Sequence, residues 1–91
     1  MRSRTTEKFR LLLAALPAEI RKQAKEAYLR FQNDPCHPGL RFKRVHSRQP
    51  IYSARITKEY RAVGIQQKGE MIWFWIGSHA DYEKLLQQLK H

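Results

Sequence analysis

The sequence predicts an α+β fold in which two N-terminal helices pack on four antiparallel strands and a short C-terminal helix follows. Three observations carry that prediction. Apolar spacing changes from a 3.6-residue to a two-residue period beyond the turn-rich run Pro35-Cys36-His37-Pro38-Gly39. The β-prone runs that follow are separated by connections too short for crossovers, so hairpins join them. Residues 71–76, Met-Ile-Trp-Phe-Trp-Ile, are apolar on both parities, which places this strand inside the sheet with both faces covered.

The elements follow in order. Over residues 5–16, Phe9, Leu12, Leu13 and Leu16 recur at helical spacing, with Thr5 or Thr6 to cap the start and Pro17 to stop it. Pro17 suits the first position of a second helix, in which Ile20, Ala24, Ala27, Tyr28 and Phe31 form one stripe and charged residues cover the other side. That helix ends at Asn33-Asp34-Pro35. Strands are expected at residues 40–45, 51–57, 60–66 and 71–76. Between them lie Ser47-Arg48-Gln49-Pro50, a tight Lys58-Glu59 turn, and Gln67-Lys68-Gly69-Glu70, where Gly69 is free to take a positive φ. Ser78 opens the last helix with Asp81 three residues on, and Tyr82, Leu85, Leu86 and Leu89 give it an apolar side that covers the second face of the sheet or yields to a partner.

Composition bounds the function. The 91 residues carry 18 Lys+Arg against 8 Asp+Glu, a formal net charge of +10, and form a single domain over 1–91. Hydrophobic content of 42% and aromatic content of 11% exclude a disordered basic tail. Cys36 is alone, so no intramolecular disulfide is available, and a reducing cytoplasm is the expected compartment. No apolar run approaches the ~18 residues of a membrane span, so no membrane partner is expected.

The charge is concentrated on the strands. Between Leu40 and Lys68 stand eight cations against the single acid Glu59. Arg41 and Lys43 share one face of their strand, and Arg55 leaves the face opposite to Tyr52, Ala54 and Ile56. A surface of this kind attracts a polyanion by releasing its counterions, and interleaved aromatic rings can stack bases, so nucleic acid is the natural partner. Arg41, Lys43, Arg44, Arg48 and Lys58 are the candidate RNA-binding residues. Cys36 and His37 are adjacent but lack the second pair that a tetrahedral metal site needs. There is no glycine-rich phosphate loop, no GxSxG and no acidic pair, so neither a cofactor nor metal-dependent phosphodiester chemistry is expected. Metal-free cleavage of RNA stays open, because the ribose 2′-OH can attack its own phosphate given proton transfer and charge stabilisation. His79 supplies an imidazole for proton transfer, Arg55 and Arg61 can hold a phosphate, and Tyr82, three residues on from His79, shares its helix face.

The ordered set Leu16-Pro17-Ala18-Glu19-Ile20, Pro35-x-His37-Pro38-x-Leu40, Tyr52-Ser53-x-Arg55-Ile56, Tyr60-Arg61-Ala62-Val63-Gly64 and Trp73-Phe74-Trp75-Ile76-Gly77-Ser78-His79-x-x-Tyr82 resembles the RelE/ParE superfamily of toxin–antitoxin toxins. The resemblance spans about residues 9–86. It implies a helical hairpin on a curved antiparallel sheet, RelE-like, whose concave basic face holds messenger RNA on the ribosome. It implies a cognate acidic antitoxin that wraps this face or displaces the last helix, and a toxin–antitoxin hetero-oligomer. By position it gives Arg55 a phosphate contact, Arg61 transition-state stabilisation, His79 the acid or base role of ribonuclease branches such as YoeB, and Tyr82 a neighbouring tyrosine role, with Lys43 in the basic first strand.

The chain departs from that pattern in two places. Where the YoeB-like branch has a glutamate base, this sequence has His37, Pro38 and Gly39, and the usual opening strand is expected to be shortened or replaced by the first helix. The implied activity is a ribosome-dependent, metal-independent mRNA endonuclease that inhibits translation. The alternatives are a ParE-like inhibitor of DNA gyrase without nuclease activity, or a non-toxic basic binding protein.

Overall fold

In the computed structural model, which describes residues 2–89, one sheet of five strands is sandwiched between helices. The elements run β1 (Arg2–Thr5), α1 (Glu7–Ala14), α2 (Ala18–Asn33), a 3-10 turn (Pro38–Leu40), β2 (Lys43–Arg44), β3 (Ile51–Thr57), β4 (Tyr60–Gln67), β5 (Glu70–Ser78) and α3 (His79–Leu89). The strand order is β1-β5-β4-β3-β2. This corrects the expected sheet: it has five strands, and it is mixed, because β1 runs parallel to β5. The opening strand, expected to be shortened or replaced by the first helix, is therefore present as the four residues of β1. Arg2-Ser3-Arg4-Thr5 holds no apolar residue to reveal it, and its backbone pairs with an edge that an apolar strand would otherwise leave open. With β1 on one side and β4 on the other, β5 lies inside the sheet, as its two-faced apolarity requires.

The helices agree with the sequence pattern except at their ends. α1 is shorter than residues 5–16, and Thr6 caps it by accepting a hydrogen bond from the Phe9 N–H at 3.1 Å. Pro17 occupies the N-cap of α2 instead of its first turn. The first predicted strand shrinks from residues 40–45 to Lys43–Arg44, because Leu40 closes the 3-10 turn and Arg41 takes a left-handed φ of 45° before the chain extends. At the β4–β5 hairpin both Lys68 and Gly69 adopt positive φ, the geometry of a tight primed turn.

The sheet separates two cores. Phe9, Phe31, Leu40, Met71, Trp73 and Ile76 belong to the one beneath α1 and α2, and Ile51, Val63 and Tyr82 centre the one beneath α3. Two irregularities bend the strands between them. On β5, Val63 pairs with Trp75 and Gly64 with Trp73, so Phe74 is an extra residue and the alternation resets. Trp73 and Ile76 can then face the same core while Trp75 faces the other. On β3, the register slips between Arg55 and Thr57, beside the candidate site. Among the described residues, no helix is long and apolar enough to cross a membrane.

Candidate functional site

The β3–β4 hairpin places Arg55 directly opposite Arg61. Cross-strand partners lie on one face, so the two guanidiniums share the α3 side of the sheet with Ser53 and Val63, whose pairing continues the same parity. Across the next ladder Gly77 faces Arg61. A Cβ at Gly77 would come within 2.7 Å of the Trp75 ring, so glycine lets the indole lie against the strand beside Arg61. Lys43 pairs with Ser53 and so lies on this face as well.

Arg61 is held in place by its own turn. Its Nη1 donates to the carbonyls of Thr57 (2.6 Å), Tyr60 (3.0 Å) and Lys58 (3.2 Å), which fixes one edge of the fork. Partial burial lowers its pKa, the Arg55 charge lowers it further, Tyr82 opposes the shift, Arg41 adds to it and Glu59 opposes it. Arg41 and Arg55 therefore act on the same spot as Arg61. Cations crowded in this way gain from an anion between them.

The same turn positions α3. The backbone N–H of His79 donates to the Glu59 carbonyl at 2.7 Å, and Ser78 Oγ accepts from the Asp81 N–H at 3.2 Å, as the capping pattern predicts. His79 is half-buried, with its ring centroid 5.9 Å from that of Tyr82 and its Nε2 3.7 Å from a Glu83 carboxylate oxygen one turn on. That separation is an ion-pair distance and not a hydrogen bond. Tyr82 lies beneath the surface at 5% exposure, and its hydroxyl donates to Ser53 Oγ at 3.1 Å, with Ser53 itself 2% exposed.

The expected residues thus divide. Arg41, Lys43, Arg55, Arg61, His79 and Tyr82 gather on or under the α3 face, and Lys58 is exposed in the adjoining turn. Arg44 does not join them: it pairs with Tyr52, on the opposite parity, and its Nε donates to the His46 carbonyl at 2.9 Å. Arg48 sits in the loop before Ile51, at the other end of β3 from Arg55. His37 caps the 3-10 turn by accepting the Gly39 N–H on Nδ1 at 3.0 Å.

Sequence reasoning missed Ser53 and Glu83. The signal for each was spacing, because Ser53 precedes Arg55 by two strand positions and Glu83 follows His79 by four helical ones. Chemically the arrangement offers two adjacent guanidiniums for a phosphate, a half-exposed imidazole for proton transfer, and a buried tyrosine that braces the helix carrying that imidazole.

Comparison with protein families matches residues 18–84 to the model of the ParE-like toxin domain. Among solved structures, a chain of the RelB–RelE antitoxin–toxin complex from Methanococcus jannaschii superposes with a TM-score of 0.72 at 18% identity, over 89% of this chain and 95% of that one. YafQ from E. coli BL21(DE3) gives 0.69 at 12% identity, over 90% and 98%. The YoeB/ParE toxin from Agrobacterium tumefaciens gives 0.68 at 15% identity, over 87% and 99%. These identities establish a shared fold. No curated protein matches the sequence.

Proposed function

Because this chain belongs to the ParE-like toxin family, we propose that it is the toxin of a type II toxin–antitoxin pair and acts as a ribosome-dependent mRNA endonuclease that needs no metal. The observation that carries this reading is the opposition of Arg55 and Arg61 across one ladder, with His79 starting the helix tied to the same turn. In the proposed reaction the ribose 2′-oxygen attacks the neighbouring phosphorus, the bond to the 5′-oxygen breaks, and a cyclic phosphate forms. The 2′-hydroxyl must lose a proton and the departing 5′-oxygen must gain one. His79 serves one of these transfers, since an imidazole gives and takes protons near neutral pH.

Arg61 is already fixed on the turn carbonyls, so the remaining edge of its fork meets the developing negative charge without reorganisation, and Arg55 shares that charge. Arg41, Lys43 and Lys58 hold the adjacent RNA backbone. Tyr82 acts through position, keeping α3 seated on Ser53. An acidic antitoxin is the partner that such a face requires, because +10 of open charge binds polyanions without discrimination. Two of the similar solved folds are RelB–RelE complexes, which supports that assignment. Ribosome and message place the protein's work in the cytoplasm.

Expression of the wild type and of His79→Ala in growing cells, with transcript ends mapped, tests the reading. The wild type is expected to arrest growth and produce cuts within translated messages, and the variant to lose them. A second reading draws on the ParE-like family match: inhibition of DNA gyrase. It predicts induction of the SOS response, gyrase trapped on cleaved DNA and toxicity indifferent to His79.

A further inference from the structure

Beyond the basic face, a second histidine connects two elements that no strand pairing joins. His46 lies half-buried between β2 and β3. Its Nε2 is 2.6 Å from the carbonyl oxygen of Leu89, at the end of α3. Its Nδ1 accepts the backbone N–H groups of Gln49 (2.8 Å) and Arg48 (3.0 Å). A carbonyl only accepts, so Nε2 carries the hydrogen. Two converging N–H donors leave no room for a proton on Nδ1, so the partners assign the ring as neutral, with its hydrogen on Nε2.

We propose that His46 is a pH-sensitive latch that fastens the C-terminal turn of α3 to the loop entering β3. The feature is independent of whether the target is RNA or gyrase. The last carbonyls of a helix have no partner within it, and His46 supplies one for Leu89. A proton added to Nδ1 would point at two donors, so both loop hydrogen bonds break and the ring is held at the helix end alone.

The surrounding charges act in both directions. Arg44 of β2, bonded to the His46 carbonyl, and Arg48 of the loop are cations that disfavour an imidazolium. The negative end of the α3 dipole at Leu89 favours it. Ile51 of β3 and Gln88 of α3, which line the same cleft, are uncharged. The closed latch requires the neutral ring, so it is complete at high pH and is lost as pH falls through the titration of the ring. The ring keeps its bond to Leu89 in either state, so what opens is the loop entering β3 and not the helix that carries His79 and Tyr82.

Nuclear magnetic resonance of the native protein tests this without any activity assay. At about pH 8 the ring nitrogens should report a hydrogen on Nε2 and none on Nδ1. Between about pH 8 and about pH 5.5, hydrogen-exchange protection at the Arg48 and Gln49 amides should fall roughly tenfold, relative to the intrinsic rate at each pH, while residues 85–89 keep theirs. In His46→Gln the Arg48 and Gln49 amides should be weakly protected at both pH values, while His79→Gln should keep the pH response. A ring with its hydrogen on Nδ1 at the higher pH, or an undiminished pH response in His46→Gln, overturns the proposal. Should His46→Gln fail to fold, the native protein decides alone: a protection loss that spares Arg48 and Gln49 overturns it equally.

Discussion

The two faces of the sheet are built by different rules. Beneath α1 and α2, Phe31 packs edge-on against Phe42 at 5.1 Å and Trp73 at 5.2 Å between ring centroids, and Phe42 stacks on Tyr52 at 4.8 Å. This is a dry aromatic interior with Phe31, Leu40, Met71 and Ile76 all but sealed from water. Beneath α3, the buried apolar cluster among the described residues is Ile51, Val63 and Tyr82; Phe74, Trp75, Leu85 and Leu86 are partly open, and the buried hydroxyl pair of Tyr82 and Ser53 sits in the middle. The contrast shows how a small chain can keep stability apart from function. One face commits its apolar area to holding the fold, and the other carries the cations under a lightly held helix.

Predictions follow from that contrast in descending order of effect. Phe31→Ala removes the hub of the aromatic side and should cost about 3–5 kcal/mol, a large share of the roughly 5–15 kcal/mol typical of a domain. Chemical denaturation measures this, and a loss below ~1 kcal/mol would remove the basis for the comparison. Arg61→Ala and His79→Ala should each lower message cleavage about a hundredfold or more, with the far-UV spectrum and the unfolding of the α1 and α2 side unchanged. Unfolding of His79→Ala on the scale of Phe31→Ala would mean that the two faces are not separable.

Tyr82→Phe keeps the ring and deletes the donor to Ser53, so it should cost only about 1 kcal/mol while raising amide exchange selectively in α3. Arg4→Ala should matter least. Its ion pair with Glu70 is short, at 2.8 Å, but the Arg4 side chain is 64% exposed, so water and salt screen it to less than about 1 kcal/mol.

Legibility in the sequence follows the same division. α2 and the hairpins of β3, β4 and β5 could be read from period and turn chemistry, because burial on a defined side imposes a pattern. β1 could not, since its stability comes from backbone pairing with a distant strand and its four residues bear no apolar signal. For the site, parity grouped Lys43 with Arg55, whereas Arg41 lies outside the strand and is near them through the turn that precedes β2. The same rule puts Arg44 with Tyr52 on the other face, a separation that charge by itself does not reveal. The place of Arg48 was not legible, because position within a loop is set by what holds the loop, here His46, and not by any local period. Spacing put Ser53 on the Arg55 side of β3, but its burial was not legible, because a serine in a strand is usually at the surface and here the overlying Tyr82 covers it.

The parallel pairing of β1 with β5 also orders the events of folding. Arg4 and Glu70 meet across 66 positions, whereas β3, β4, β5 and α3 assemble through neighbours in the chain. Local hairpins close quickly, and a contact of such long sequence separation forms more slowly. Until β1 docks, the outer flank of the apolar strand β5 therefore stays unshielded.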